Sequence, residues 1–112
     1  MKKFRVDALR RIMHNRQLDG FFITNIKNIF YLTGFSGSSG FLIITKQGCY
    51  LFTDIRYKEQ VEKEVIRCEI GIEKGNRLNI IKKLIKRFKI KRLGFQSSLS
   101  YDFYEQLKKI PV

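Results

Sequence analysis

Residues 41–53 read Phe41-Leu42-Ile43-Ile44-Thr45, then Lys46-Gln47-Gly48, then Cys49-Tyr50-Leu51-Phe52-Thr53. Two β-rich apolar runs joined by three residues ending in glycine predict an antiparallel hairpin. Upstream lies a loop of small residues, Gly34-Phe35-Ser36-Gly37-Ser38-Ser39-Gly40. Before it, Asn25 is placed to cap a short helix over Ile26 to Leu32 that stops at Thr33-Gly34. Further upstream, Phe21-Phe22-Ile23-Thr24 predicts a buried strand. A first helix over 6–18 sets Val6, Leu9, Ile12 and Met13 on one face and Arg10, Arg11 and Arg16 on the other, and Leu18-Asp19-Gly20 stops it.

Downstream of the hairpin, Asp54 is placed to cap a helix running through Val65, with Tyr57, Val61 and Val65 on one face. Glu59 and Lys63 form an i,i+4 pair on its outer side. Residues 66–72 are a strand candidate. The clearest helix covers 76–88: Leu78, Ile81, Leu84, Ile85 and Phe88 make the apolar stripe, while Lys82, Lys83, Lys86 and Arg87 face out. Residues 92–95 resemble a short strand, and Ser100 could cap a last helix through Lys109. Helices and strands in this order predict an α/β domain of three layers, a mixed β-sheet with helices on both faces.

At 112 residues the chain suits a single domain. With 44% hydrophobic residues and ten Phe it can bury one core. No apolar run nears the roughly 20 residues of a membrane span, and no apolar stretch behind the basic start suggests a secretion signal. Cys49 and Cys68 are expected to be reduced, buried thiols of a cytoplasmic protein. The net charge of +13 raises a polyanion partner as a possibility. Between Lys74 and Arg92, however, lie nine basic residues and no acid, so one segment carries most of the excess. A solvated helix face is the preferred reading, and nucleic acid is not the expected partner.

Candidate chemistry is sparse. His14 is the only histidine, so ordinary zinc sites and histidine-based triads find no support. The pairs Glu59 with Glu62 and Asp102 with Glu105 sit among lysines, as solvated helix faces do. Gly34, Gly37 and Gly40 recur every three residues and lead into a strand, which does not fit a phosphate cradle at a helix N-terminus. Phe35 either stands at the tip of that loop, suited to a partner or a pocket rim, or turns back into the core.

Three stretches carry a resemblance. Asp19-Gly20-Phe21-Phe22-Ile23-Thr24-Asn25, the run from Asn28 to Thr45 (NIFYLTGFSGSSGFLIIT), and Leu51-Phe52-Thr53-Asp54-Ile55-Arg56-Tyr57 resemble the N-terminal domain of the creatinase, prolidase and aminopeptidase P family. Weaker similarity continues through Gly94-Phe95 and Ser100-Tyr101 to Leu107. The family often has proline where Ile26 stands and glycine where Ile55 stands. The resemblance implies that 1–112 is one creatinase/prolidase N-terminal-type domain, without the C-terminal metallopeptidase domain that carries catalysis. In that absent "pita-bread" domain two Asp, one His and two Glu would hold two divalent metals, commonly manganese or cobalt. No cofactor is expected in this chain.

The implied parent is a cytoplasmic Xaa-Pro aminopeptidase or dipeptidase acting on proline-containing peptides; creatine hydrolysis also occurs in the family. The implied partners are the chain's own C-terminal domain and a second copy in a homodimer, with no membrane. Tyr31, Phe35, Ser36 and Arg56 are the candidate rim residues of the neighbouring active site. Arg56 would either meet a peptide carboxylate or pair with Asp54 or Glu59 and hold its helix. The alternative is a free-standing basic module that binds nucleic acid or another polyanion.

Overall fold

The computed structural model describes residues 2–65 and 67–95. The elements are α1 (Lys2–Asn15), β1 (Gly20–Ile23), α2 (Ile26–Thr33), β2 (Gly40–Thr45), β3 (Cys49–Thr53), a 3-10 turn (Ile55–Tyr57), α3 (Lys58–Glu64), β4 (Glu69–Ile72), α4 (Arg77–Arg87) and β5 (Leu93–Phe95). The helix expected over 100–109 lies outside the described residues. The strands form one mixed sheet in the order β4-β3-β2-β1-β5. β2 pairs antiparallel with β1 and β3, whereas β4 and β5 join the edges in parallel to β3 and β1.

The hairpin forms as expected, with Phe41 opposite Phe52 and Ile43 opposite Tyr50. All six residues of β2 are buried because both faces of the sheet are covered. Ile23, Leu42, Ile44 and Leu51 face α1, α2 and α3, where Met13, Ile29, Leu32, Val61 and Val65 meet them. Phe22, Phe41 and Ile43 face the other way, onto Ile81, Leu84 and Ile85 of α4. Phe41 stacks on Phe52 with centroids 5.0 Å apart. The chain is thus a three-layer α/β domain.

Several local expectations are corrected. Ile12 is 51% exposed: Val6, Leu9 and Met13 form the buried stripe of α1, and Ile12 falls roughly 90° around the helix from it. Arg10, expected on the solvent face, instead reaches the β2–β3 turn. Its Nε and Nη2 donate to the carbonyls of Thr45 and Gly48, each at 2.9 Å. The helix stop is Gln17, at φ 59°. The Leu18 amide bonds back to Met13 and the Gln17 amide to His14, which is a Schellman ending without its usual glycine. Lys89, at φ 54°, ends α4 in the same way. The Asp19 carboxylate then ties the two ends together by accepting from the amides of Lys91 and Arg92 at 2.9 and 2.8 Å.

The expectation of reduced thiols is overturned, although Cys49 is buried as expected. Cys49 and Cys68 form a disulfide, with Cα atoms 4.7 Å apart. The parallel register that sets Tyr50 opposite Glu69 explains the pairing, because one residue earlier on each strand it brings Cys49 beside Cys68. That distance lies inside the range a disulfide spans.

Candidate functional site

The candidate surface is built where α2, the 34–40 loop and the 3-10 turn meet. Asn25 starts α2 as expected, its side chain accepting from the amides of Lys27 and Asn28 at 3.0 and 3.2 Å. Gly34 ends it in the left-handed region at φ 87°, where a side chain would be strained. Ile29, Leu32 and Thr33 turn inward. Tyr31 turns outward, 54% exposed. Arg5 braces Tyr31, its guanidinium 4.2 Å from the ring centroid while Nη1 donates to the Tyr31 carbonyl at 2.8 Å.

Phe35 turns back into the core and is 1% exposed. It meets Tyr57 edge-on, with centroids 5.9 Å apart. The loop closes tightly over it: a Cβ on Gly37 would lie 2.2 Å from the tip of the Phe35 ring. Phe35 therefore supports the loop from below and presents no ring to solvent. Ser36 stays exposed above it. Its amide donates to Glu64 Oε1 at 2.8 Å and its hydroxyl lies 2.8 Å from Oε2, while Gln60 Nε2 donates to Ser36 Oγ at 2.8 Å. The free run of the loop is thereby fastened to α3.

Asp54 caps the 3-10 turn by accepting from the Arg56 amide at 2.9 Å. The same carboxylate takes two bonds from the Arg56 guanidinium, Nε at 3.0 Å and Nη2 at 3.3 Å. The Arg56 side-chain hydrogen bond is the main reason the Asp54 carboxyl sits below its ordinary pKa, and the Arg56 amide adds to it. Arg56 is raised in turn, first by its bond to Asp54. A hydrogen bond with the Ser38 side chain draws the Tyr57 phenol below its usual range. Arg56 thus holds the turn, as one of its two expected roles required, and still leaves its side chain 68% exposed.

Sequence reasoning missed Ile26 and Phe30. With Lys27, Ser36 and Gly37 they line a shallow notch of about 350 Å³ between α2 and the loop. The signal was available, since Ile26 and Phe30 stand four apart on α2, off the stripe that holds Ile29 and Leu32. The notch is an apolar floor edged by a serine hydroxyl and a lysine, which suits holding a side chain or a ring. The basic face of α4 lies on the opposite side of the sheet from this surface.

The implied metals find no seat here: among the described residues no group of three or more His, Cys, Asp or Glu could hold an ion. His14 is exposed on α1. No helix among the described residues is long and apolar enough to cross a membrane.

A sequence profile of the Creatinase/Prolidase N-terminal domain matches residues 5–111. The chain belongs to that family. Creatinase/prolidase N-terminal domains also surround it among known proteins. It is 36% identical over 101 residues to the uncharacterized peptidase YqhT of Bacillus subtilis, covering 89% of this chain and 29% of that protein. The fold matches that of the Xaa-Pro dipeptidase from Bacillus anthracis at a TM-score of 0.91 and 28% identity, over 99% of this chain and 32% of that one. It matches the N-terminal domain of the cytoplasmic peptidase PepQ of Mycobacterium tuberculosis at a TM-score of 0.84 and 29% identity, over 93% of this chain and 82% of that one. The chain spans 29% of the length of the curated relatives it matches.

Proposed function

We propose that this creatinase/prolidase N-terminal domain is the non-catalytic first domain of a cytoplasmic, metal-dependent Xaa-Pro aminopeptidase or dipeptidase. The observation that carries the reading is the match itself, which uses residues 5–111 of the chain yet covers only 29% of relatives described as Xaa-Pro peptidases. Catalysis, with its two divalent metals, belongs to a separate C-terminal domain. The chain contributes the edge of that active site and part of a homodimer contact.

Tyr31, Ser36 and Arg56 are the exposed rim residues, and Phe35 sets the height of the loop beneath them. The Ile26–Phe30 notch is the apolar part of the same edge. Arg56, already oriented by Asp54, offers the rest of its planar fork to a peptide carboxylate.

An antibody raised to the chain tests the parent directly. The protein detected in its native source should run well above 13.3 kDa, and a band at that mass would overturn the multidomain reading. In the parent, Tyr31→Ala and Arg56→Ala should raise KM for a proline-containing peptide and leave the oligomer's size unchanged. An unaltered KM in both variants would remove the rim role. The isolated chain should not turn over an Xaa-Pro peptide with manganese present, and turnover would refute the proposal.

A further inference from the structure

A second cavity, about 650 Å³, lies between α1, the end of α2, the β2–β3 turn and the end of α3. Both sulfur-bearing residues of the disulfide line it, together with Arg10, Lys63 and Arg67. We propose that this cavity is a thiol–disulfide exchange site, in which an anionic low-molecular-weight thiol opens the Cys49–Cys68 bond. The inference goes beyond the peptidase-domain reading and does not depend on it.

Three observations converge. The bond is reached unequally: Cys49 is buried, while Cys68 is half-buried at the cavity wall. A thiolate arriving through the cavity therefore meets Cys68 Sγ and expels Cys49. Next, Arg10 lines the same cavity as Cys49 and is fixed on the carbonyl of Gly48, the residue before it. Nearby cations stabilise a thiolate and make it a better leaving group. Finally, the cavity favours an anion. Arg10, Lys63 and Arg67 on its lining outnumber Asp7 and Glu64 by one charge, and Lys63 and Arg67 are exposed at the mouth.

The chemistry balances with two thiolates of one kind. The first attacks Cys68 Sγ, forming a mixed disulfide as the Cys49–Cys68 bond breaks and its electron pair stays on Cys49 as thiolate. The second attacks the outer sulfur of the mixed disulfide, and the electron pair leaves on Cys68. The two small thiolates end as one disulfide, and the protein ends as a dithiol. Opening the bond unties β3 from the segment after α3, and Glu64, which fastens Ser36, is the last residue of α3, directly before that segment.

The test uses the whole chain purified in air without reductant. Alkylation under denaturing conditions should label neither cysteine. Opening is then timed with 2-mercaptoethanesulfonate, an anion, and with neutral 2-mercaptoethanol, on the native chain and on the urea-unfolded chain at low salt. The anionic-to-neutral rate ratio should be about fivefold higher on the native chain, the size expected for one favourable charge a few ångströms away in a watery mouth. Exposed Arg67 allows a conservative control, and Arg67→Gln should remove most of that gain. Peptide mapping should find the mixed disulfide on Cys68. Free thiols in the air-purified chain, an equal ratio in the native and unfolded states, or an adduct on Cys49 would each overturn the proposal.

Discussion

Replacing Phe35 by alanine separates a core residue from a surface one. The side chain is fully covered, lying under the Ser36–Gly37 segment and edge-on to Tyr57. A buried phenylalanine removes roughly 150 Å² or more of apolar surface from water, which at about 25 cal/mol per Å² is about 4 kcal/mol. The cavity left behind keeps the cost in the range of about 3–5 kcal/mol. For a domain of this size a urea m-value of about 1.5 kcal/mol/M turns that into a midpoint lowered by roughly 2–3 M. Equilibrium unfolding in urea, followed by circular dichroism, reads it directly. Phe35→Leu, costing about 1–1.5 kcal/mol, keeps the experiment readable if the alanine variant is largely unfolded at the start. Tyr31→Ala, on the exposed side of α2, should change the stability by less than about 0.5 kcal/mol. A Phe35→Ala loss below about 1 kcal/mol would refute the placement of this ring in the core.

Lys89→Gly should stabilise the domain by about 1 kcal/mol, because glycine accepts the left-handed backbone that lysine holds at φ 54°; a thermal midpoint that fails to rise would contradict the helix ending. The depressed Asp54 carboxyl carries a defined sign: its contribution is present above the unfolded aspartate pKa of about 3.9 and is lost as pH falls through the lower folded value. Arg56→Ala should move the Asp54 midpoint up toward the ordinary value in a carboxyl-carbon NMR titration, and an unchanged midpoint would show that the guanidinium bonds are not made in solution. Ser38→Ala should raise the Tyr57 phenol toward its ordinary range in an ultraviolet pH titration, since the bond between the two hydroxyls is the leading cause of its depression.

What could be read from the residues was local. The 41–53 hairpin, the Asn25 cap and the α4 stripe each rest on a few adjacent side chains, and each appears where expected. Helix endings at Gln17 and Lys89 escaped because neither carries glycine; tertiary bonds through Asp19 support a conformation that local preference opposes. The disulfide escaped for a longer-range reason. Its cysteines stand 19 apart, and only the parallel pairing of β3 with β4, invisible in either strand alone, brings them together. At the candidate site, Arg56 and Ser36 were named only through the family resemblance, and the structure adds that both side chains are exposed. The burial of Phe35 was not legible, because it depends on the close fit of Gly37 over the ring.

Among the described residues one side of the sheet ends in β4, a strand of four residues. Such an edge strand presents backbone donors and acceptors on which another chain could grow, the usual starting point of sheet-to-sheet aggregation. Here a newcomer would find little length to align with. It would also meet Lys74 just beyond the strand. In a molecule carrying +13 charges, a second copy approaching edge-on brings the same cations with it. The strong positive charge, which looks at first like an address for a polyanion, thus also serves colloidal stability by keeping the β4 edges of two copies apart.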